Sequence, residues 1–172
     1  MKTAVIVDSV RTGLAKSHRG GFNITRADDM LAHIINGMLE RNPNLPPEMV
    51  EDVIMGCGNP EGSMGHNIGR NAAVLSNLPI TTGGTTVNRY CSSGLQTVSM
   101  AASQIMAGCY DTVIAGGAEQ ITMLAGKTNM DGFVNEKLAE SHPGIYHPMG
   151  ITAECVAKRY NVSREAQDEI AF

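Results

Sequence analysis

Residues 83–122 read GGTTVNRYCSSGLQTVSMAASQIMAGCYDTVIAGGAEQIT, a pattern of strand, sharp turn, helix and strand. Two glycines lead into β-branched Thr85, Thr86 and Val87, a composition suited to a buried strand. Leu95, Val98, Ala102 and Ile105 then recur at helical spacing. A second short apolar run, 111–115, closes on Gly116 and Gly117. Cys91 lies between the first strand and the helix, followed by Ser92, Ser93 and Gly94. A cysteine at a helix start faces the positive end of the dipole and unpaired backbone N–H groups. That setting favours thiolate over thiol. The same N–H groups can stabilise an oxyanion when the sulfur attacks a carbonyl. The helix is rich in small residues, among them Gly94, Ser99, Ala101, Ala102 and Ala107. It is expected to be packed on every side, with Cys91 at the tip of a deeply buried mount.

The run VNRYCSSGLQ, residues 87–96, resembles the acyl-enzyme cysteine motif of thiolases. GGAE at 116–119, PMGITAE at 148–154 and SREAQD at 163–168 resemble further thiolase segments. The resemblance extends from Arg11-Thr12 to the last residue. It implies a 3-ketoacyl-CoA thiolase, in which the cysteine takes the acyl group as a thioester. One hard carbon–carbon cleavage thereby becomes two acyl transfers. Cys91 takes the nucleophile's place, with its backbone N–H as an oxyanion donor. Coenzyme A enters as substrate, and no permanently bound cofactor is implied. Decarboxylating ketoacyl synthases share fold and nucleophile but usually carry Ala-Cys at this turn. Asn88-Arg89-Tyr90 ahead of Cys91 favours thiolase.

In the family, a His that activates the thiolate, an Asn that orients water and a second Cys come from glycine-rich motifs of the C-terminal half. None of those motifs occurs here. The chain is therefore expected to be an N-terminal portion, unable to turn over alone. A non-catalytic structural half is the rival reading. Met149 falls on the family's Met near the acyl group, and His147 lies close by in sequence. Pro148 stands where biosynthetic acetoacetyl-CoA enzymes often have His, so degradation of longer 3-ketoacyl chains is favoured. His66-Asn67 occupies a spot where many relatives have Gln-Asn, in a segment facing the neighbouring subunit. Asn88 is grouped with them as an interface candidate. A homodimer or homotetramer is expected.

The 172 residues, with net charge -4 and 4% aromatics, suffice for one ordinary core. No basic block is present, so nucleic acid is not expected as a partner. No apolar run approaches membrane-spanning length. The opening MKTAVIVDSV lacks the features of a signal peptide, and a cytoplasmic protein is expected. The four cysteines, Cys57, Cys91, Cys109 and Cys155, include no CxxC pair. That argues against a disulfide scaffold, a zinc ribbon and a redox dithiol. Cys57, Cys109 and Cys155 read as buried apolar filler. His142 and His147 lack zinc-finger spacing, and no metal is expected.

In chain order, residues 3–10 read as a first strand covered on both faces. Thr25 reads as an N-cap for a helix whose stripe is Met30, Leu31, Ile34, Ile35, Met38 and Leu39, with His33 off it. Residues 53–55 read as a short strand. The following GCGNPE breaks the dinucleotide fingerprint at Glu61. A helix over 67–78 precedes the Cys91 stretch. The order β-α-β-α-β-α-β predicts an α/β fold, thiolase-like, with helices on both faces of a mixed sheet. Residues 1–122 form the half-domain, and 123–172 begin a CoA-binding loop domain. There, a helix over 152–160 is followed by one capped by Ser163. Ala166 replaces the family's acidic partner in the capping box.

Overall fold

The computed structural model describes residues 2–172. The chain divides into two compact units, one ending at Thr128 and the other Asn129–Phe172. The first contains α1 (Ala27–Arg41), β1 (Asp52–Gly56), α2 (Ile68–Leu75), β2 (Thr85–Val87), α3 (Ser93–Ala107), β3 (Val113–Gly117) and the short α4 (Ile121–Leu124). The second contains α5 (Glu136–Ser141), α6 (Met149–Tyr160) and α7 (Arg164–Ala171).

The sheet order is β2-β1-β3, and both pairings are parallel. Ile54 stands opposite Thr85 on one side and Ala115 on the other. The fold class is α/β, as expected, though the described strands are all parallel rather than mixed. Each strand is separated from the next by a helix, and helical crossovers return the chain in the same direction. β1 is central and buried throughout, which explains its continuous apolar run. Val53 and Met55 join Leu31 and Ile35 of α1, and Ile68 and Ala72 of α2, in one core. Gly56, of opposite parity, faces the start of α3. Helices thus cover both faces of β1.

Residues 3–10 form no strand. They make no backbone-to-backbone hydrogen bond among the described residues, and Val5, Ile6 and Val7 are 71–83% exposed. Both edges of β1 are taken by β2 and β3. Side chains hold this segment instead: Lys2 pairs with Asp111, and Asp8 accepts from Arg41 and Asn42 at 2.8 and 2.9 Å. The Asn42 amide is the main group holding the Asp8 carboxyl below its ordinary pKa.

The stripe of α1 packs as expected, and His33 is exposed. Its start differs. Arg26, not Thr25, holds the N-cap position, without a side-chain cap. The Arg26 guanidinium instead grips buried Asp28 with two bonds, at 2.9 and 2.7 Å. α2 is shorter than expected because Ser76 turns extended after Leu75. Glycines set the spacing beneath it: a Cβ on Gly69 would lie 2.2 Å from Thr85 O, and one on Gly84 2.4 Å from Arg70 Cα.

α3 corrects a further expectation. Only Ser93, Thr97 and Ala101 are buried, at i, i+4 and i+8. Leu95 is 73% exposed and Met106 41%. Small residues bring one stripe onto the sheet, and the apolar spacing in the sequence picks out the other face. In the second unit, Ser163 caps α7 alone, accepting from Ala166 N at 3.2 Å.

Asp52 is buried at the start of β1 and accepts only from Val53 N, at 2.9 Å. Burial raises its pKa, opposed by that bond. Its ionised form is therefore disfavoured in the fold. Its contribution is most favourable below the unfolded value and is lost as pH rises through the raised folded one. Asp52→Asn should flatten this dependence. Its stability relative to the native chain should grow as pH climbs from about 4 and then level off, as read by urea melts across pH.

Candidate functional site

Cys91 sits in the turn between β2 and α3, two residues before the first residue of the helix, and is exposed. The expected helix-start position holds, but the deeply buried mount does not. The turn is tightly knitted. Ser93 Oγ donates to Tyr90 O at 2.6 Å and accepts from Arg89 N at 2.8 Å. Asn88 Oδ1 accepts from Tyr90 N at 2.8 Å. Tyr90 has φ 48°, in the left-handed region that a bulky residue occupies only under constraint.

Gly56 lets α3 begin against the end of β1, and Gly117 lets the end of β3 lie close against β1. A Cβ on Gly56 would lie 2.6 Å from the Ser93 carbonyl carbon, and one on Gly117 2.6 Å from Gly56 O. Thr97, fully buried, donates between Gly94 O and Gly116 O at 2.8 and 3.0 Å, joining α3 to β3. A cavity of about 500 Å³ opens here, lined by Gly58, Asn59, Tyr90, Cys91, Glu119 and Ile121 among others.

Glu119 follows β3 and accepts from Gly58 N at 2.8 Å, Asn59 N at 3.0 Å and Asn59 Nδ2 at 3.2 Å. Asn88 Nδ2 donates to Gly58 O at 3.1 Å. Cys57 lies beside this loop, buried, with its sulfur 3.9 Å from Glu119 Oε1. Burial above all, and then the Glu119 charge, push its thiol up to about 11. Cys109 and Cys155, expected to be buried, are exposed. Cys109 follows the Gly108 C-cap of α3, and Cys155 lies on α6, none of whose residues is buried.

Asn67 caps α2. It accepts from Arg70 N at 3.0 Å and Thr86 Oγ1 at 2.8 Å, and donates to Gly84 O at 2.7 Å. His66 beside it is exposed, with φ 57°. His147 and Met149 belong to the second unit, where Met149 opens α6 and is 73% exposed. The structure therefore places Cys91 on the cavity edge, with Asn88 hydrogen-bonded to the lining residues Gly58 and Tyr90 and Asn67 at the start of β2. Glu119 was not singled out by the sequence pattern; its signal was GGAE directly after an apolar strand. No group of three or more metal-ligating side chains clusters among the described residues. No helix among them is long and apolar enough to cross a membrane.

An exposed cysteine ahead of a helix, at the carboxyl ends of a parallel sheet, is a candidate nucleophile on an α/β unit. The model of the thiolase N-terminal domain matches residues 4–172. The chain is 46% identical to a 3-ketoacyl-CoA thiolase of Bacillus subtilis, over 99% of this chain and 43% of that protein. It is 41% identical to a 3-ketoacyl-CoA thiolase of Aliivibrio salmonicida, over 100% of this chain and 44% of that protein. The chain belongs to the thiolase family and corresponds to its N-terminal part. It spans less than half the length of these relatives.

Two outcomes follow from the geometry. Gly56→Ala should lift the start of α3 from the sheet and cost about 1–3 kcal/mol, measured by denaturant melts. Iodoacetamide at pH 8 should modify Cys91, Cys109 and Cys155 and spare Cys57, as read by peptide mass spectrometry. Cys57 should react only as pH nears its raised pKa or on unfolding.

Proposed function

We propose that this chain is the nucleophile-bearing part of a 3-ketoacyl-CoA thiolase, with Cys91 as acyl acceptor. The observation that carries the reading is Cys91, exposed at the lip of a cavity two residues ahead of α3. The Cys91 thiolate attacks the 3-keto carbon of a 3-ketoacyl-CoA. The oxyanion that forms meets the Cys91 N–H, which has no hydrogen-bond acceptor among the described residues. The C2–C3 bond breaks, its electrons pass to the acetyl-CoA enolate, and that takes a proton and leaves. The acyl group stays on sulfur until the thiolate of a second CoA displaces Cys91.

The resemblance assigns the activating His, the water-orienting Asn and the second Cys to the C-terminal half. This chain alone then carries the nucleophile without its base, a group worth about 10²–10⁴-fold. Pro148-Met149 supports the degradative direction, with Met149 and His147 toward the acyl chain and pantetheine. The partners are acyl-CoA and CoA, in a cytoplasmic homodimer or homotetramer with His66, Asn67 and Asn88 at the subunit contact.

The test is the full-length protein given an acyl-CoA. The acyl group should be recovered on the peptide containing Cys91. Cys91→Ala should abolish thiolysis, while Cys109→Ala and Cys155→Ala leave it largely intact. Acyl label on Cys57 or Cys109 instead would overturn the assignment.

A further inference from the structure

Glu119 is the most heavily engaged carboxylate near the cavity, yet the acyl-transfer steps give it no task. Its two oxygens accept from three donors of one loop: Gly58 N, Asn59 N and Asn59 Nδ2. Charge-assisted bonds of this kind are the stronger ones. The loop they fix lies directly against the turn that carries Cys91. A Cβ on Gly58 would stand 3.3 Å from Glu119 Oε2 on one side and 3.5 Å from Tyr90 Cα and C on the other. Gly58 is thus clasped between the carboxylate and the backbone of the residue before Cys91.

A line of hydrogen bonds runs through that contact. Glu119 holds Gly58 N, and Gly58 O accepts from Asn88 Nδ2. Asn88 Oδ1 accepts from Tyr90 N, and Tyr90 O accepts from Ser93 Oγ. Every link is an ordinary bond of 2.6 to 3.1 Å. Its centre is Tyr90, whose left-handed backbone would relax without bonds on both sides. Asn88 needs Gly58 O fixed in place, and Gly58 is fixed by Glu119.

We propose that Glu119 is a positioning residue for Cys91, acting through Gly58, Asn88 and Tyr90 to aim the sulfur into the cavity ahead of α3. This deepens, and rests on, the reading of Cys91 as nucleophile. Glu119 itself touches no reacting atom in this scheme. Without its carboxylate, Gly58 and Asn59 lose their acceptor, Asn88 loses a fixed partner, and Tyr90 leaves the left-handed region. The Cys91 turn then samples several orientations, and its reactivity falls to that of an ordinary exposed cysteine.

The experiment measures iodoacetamide alkylation rates of Cys91, Cys109 and Cys155 in the 172-residue chain, peptide by peptide, across pH. In Glu119→Ala the Cys91 rate should fall several-fold toward that of Cys155. Cys109 and Cys155 should keep their native rates. Glu119→Gln keeps one acceptor oxygen and should lie between. An unchanged Cys91 rate would overturn the proposal, as would a change shared by all three cysteines, the mark of general loosening. Should Glu119→Ala fail to fold, Asn88→Asp decides. It keeps the acceptor for Tyr90 N and loses the donor to Gly58 O, so the same selective fall is expected, and a native rate would overturn the relay. The readout uses no acyl-CoA. An error in the acyl-transfer reading shows in where an acyl label lands, and an error in the relay shows in the alkylation rate.

Discussion

The structure depends on two places where a side chain is absent. Gly56 ends β1 and Gly117 ends β3, and neither has room for a methyl group. Gly56 lets the first turn of α3 settle on the end of β1, and Gly117 lets the end of β3 lie close against Gly56. Thr97 then binds the helix to Gly116 by a buried hydroxyl. The Cys91 turn projects from this joint, so its placement is fixed by backbone packing more than by the neighbours of the sulfur. Only one stripe of α3 needs to be small for this, which is why the rest of the helix remains open.

The same joint separates two thiols by environment. Cys57 follows β1 and donates its N–H to Val87 O at 3.0 Å, so its backbone takes part in holding β1 and β2 together. Its sulfur is buried beside Met64 and the Glu119 carboxylate, and burial disfavours the thiolate. Cys91, in the turn after β2, is exposed. Burial first, and then the Glu119 charge, set the buried thiol apart from the accessible one.

Much of this was legible in the sequence. The strand–turn–helix–strand order around Cys91, the stripe of α1 and the lone Ser163 cap follow from local pattern and held. What failed depended on partners. An apolar run such as 3–10 becomes a strand only where an edge receives it, and strand propensity cannot say whether one does. Burial of Cys109 and Cys155 was argued from residue type, but each lies on an uncovered surface in the fold. At the start of α1 the Arg26 guanidinium binds Asp28 and no side chain caps the helix, a pairing that the capping pattern at Thr25 does not encode. GGAE marked the position of Glu119 but not its role, because its partners, Gly58 and Asn59, lie about sixty residues earlier, and carboxylate-to-backbone bonds leave no periodicity.

The central position of β1 also sets the order in which the chain can assemble. Its two partners are both later in sequence, and the farther one, β3, ends at Gly117, about sixty residues downstream. During synthesis at roughly 5–20 residues per second, β1 waits about 3–12 s for that edge to be covered. Through that interval a five-residue segment destined for full burial has α1, and then α2 and β2, for company and no complete sheet. The strand that forms the middle of the domain is thus the earliest strand made and the last to be enclosed. This is where a nascent chain of this fold is most open to pairing with the wrong neighbour.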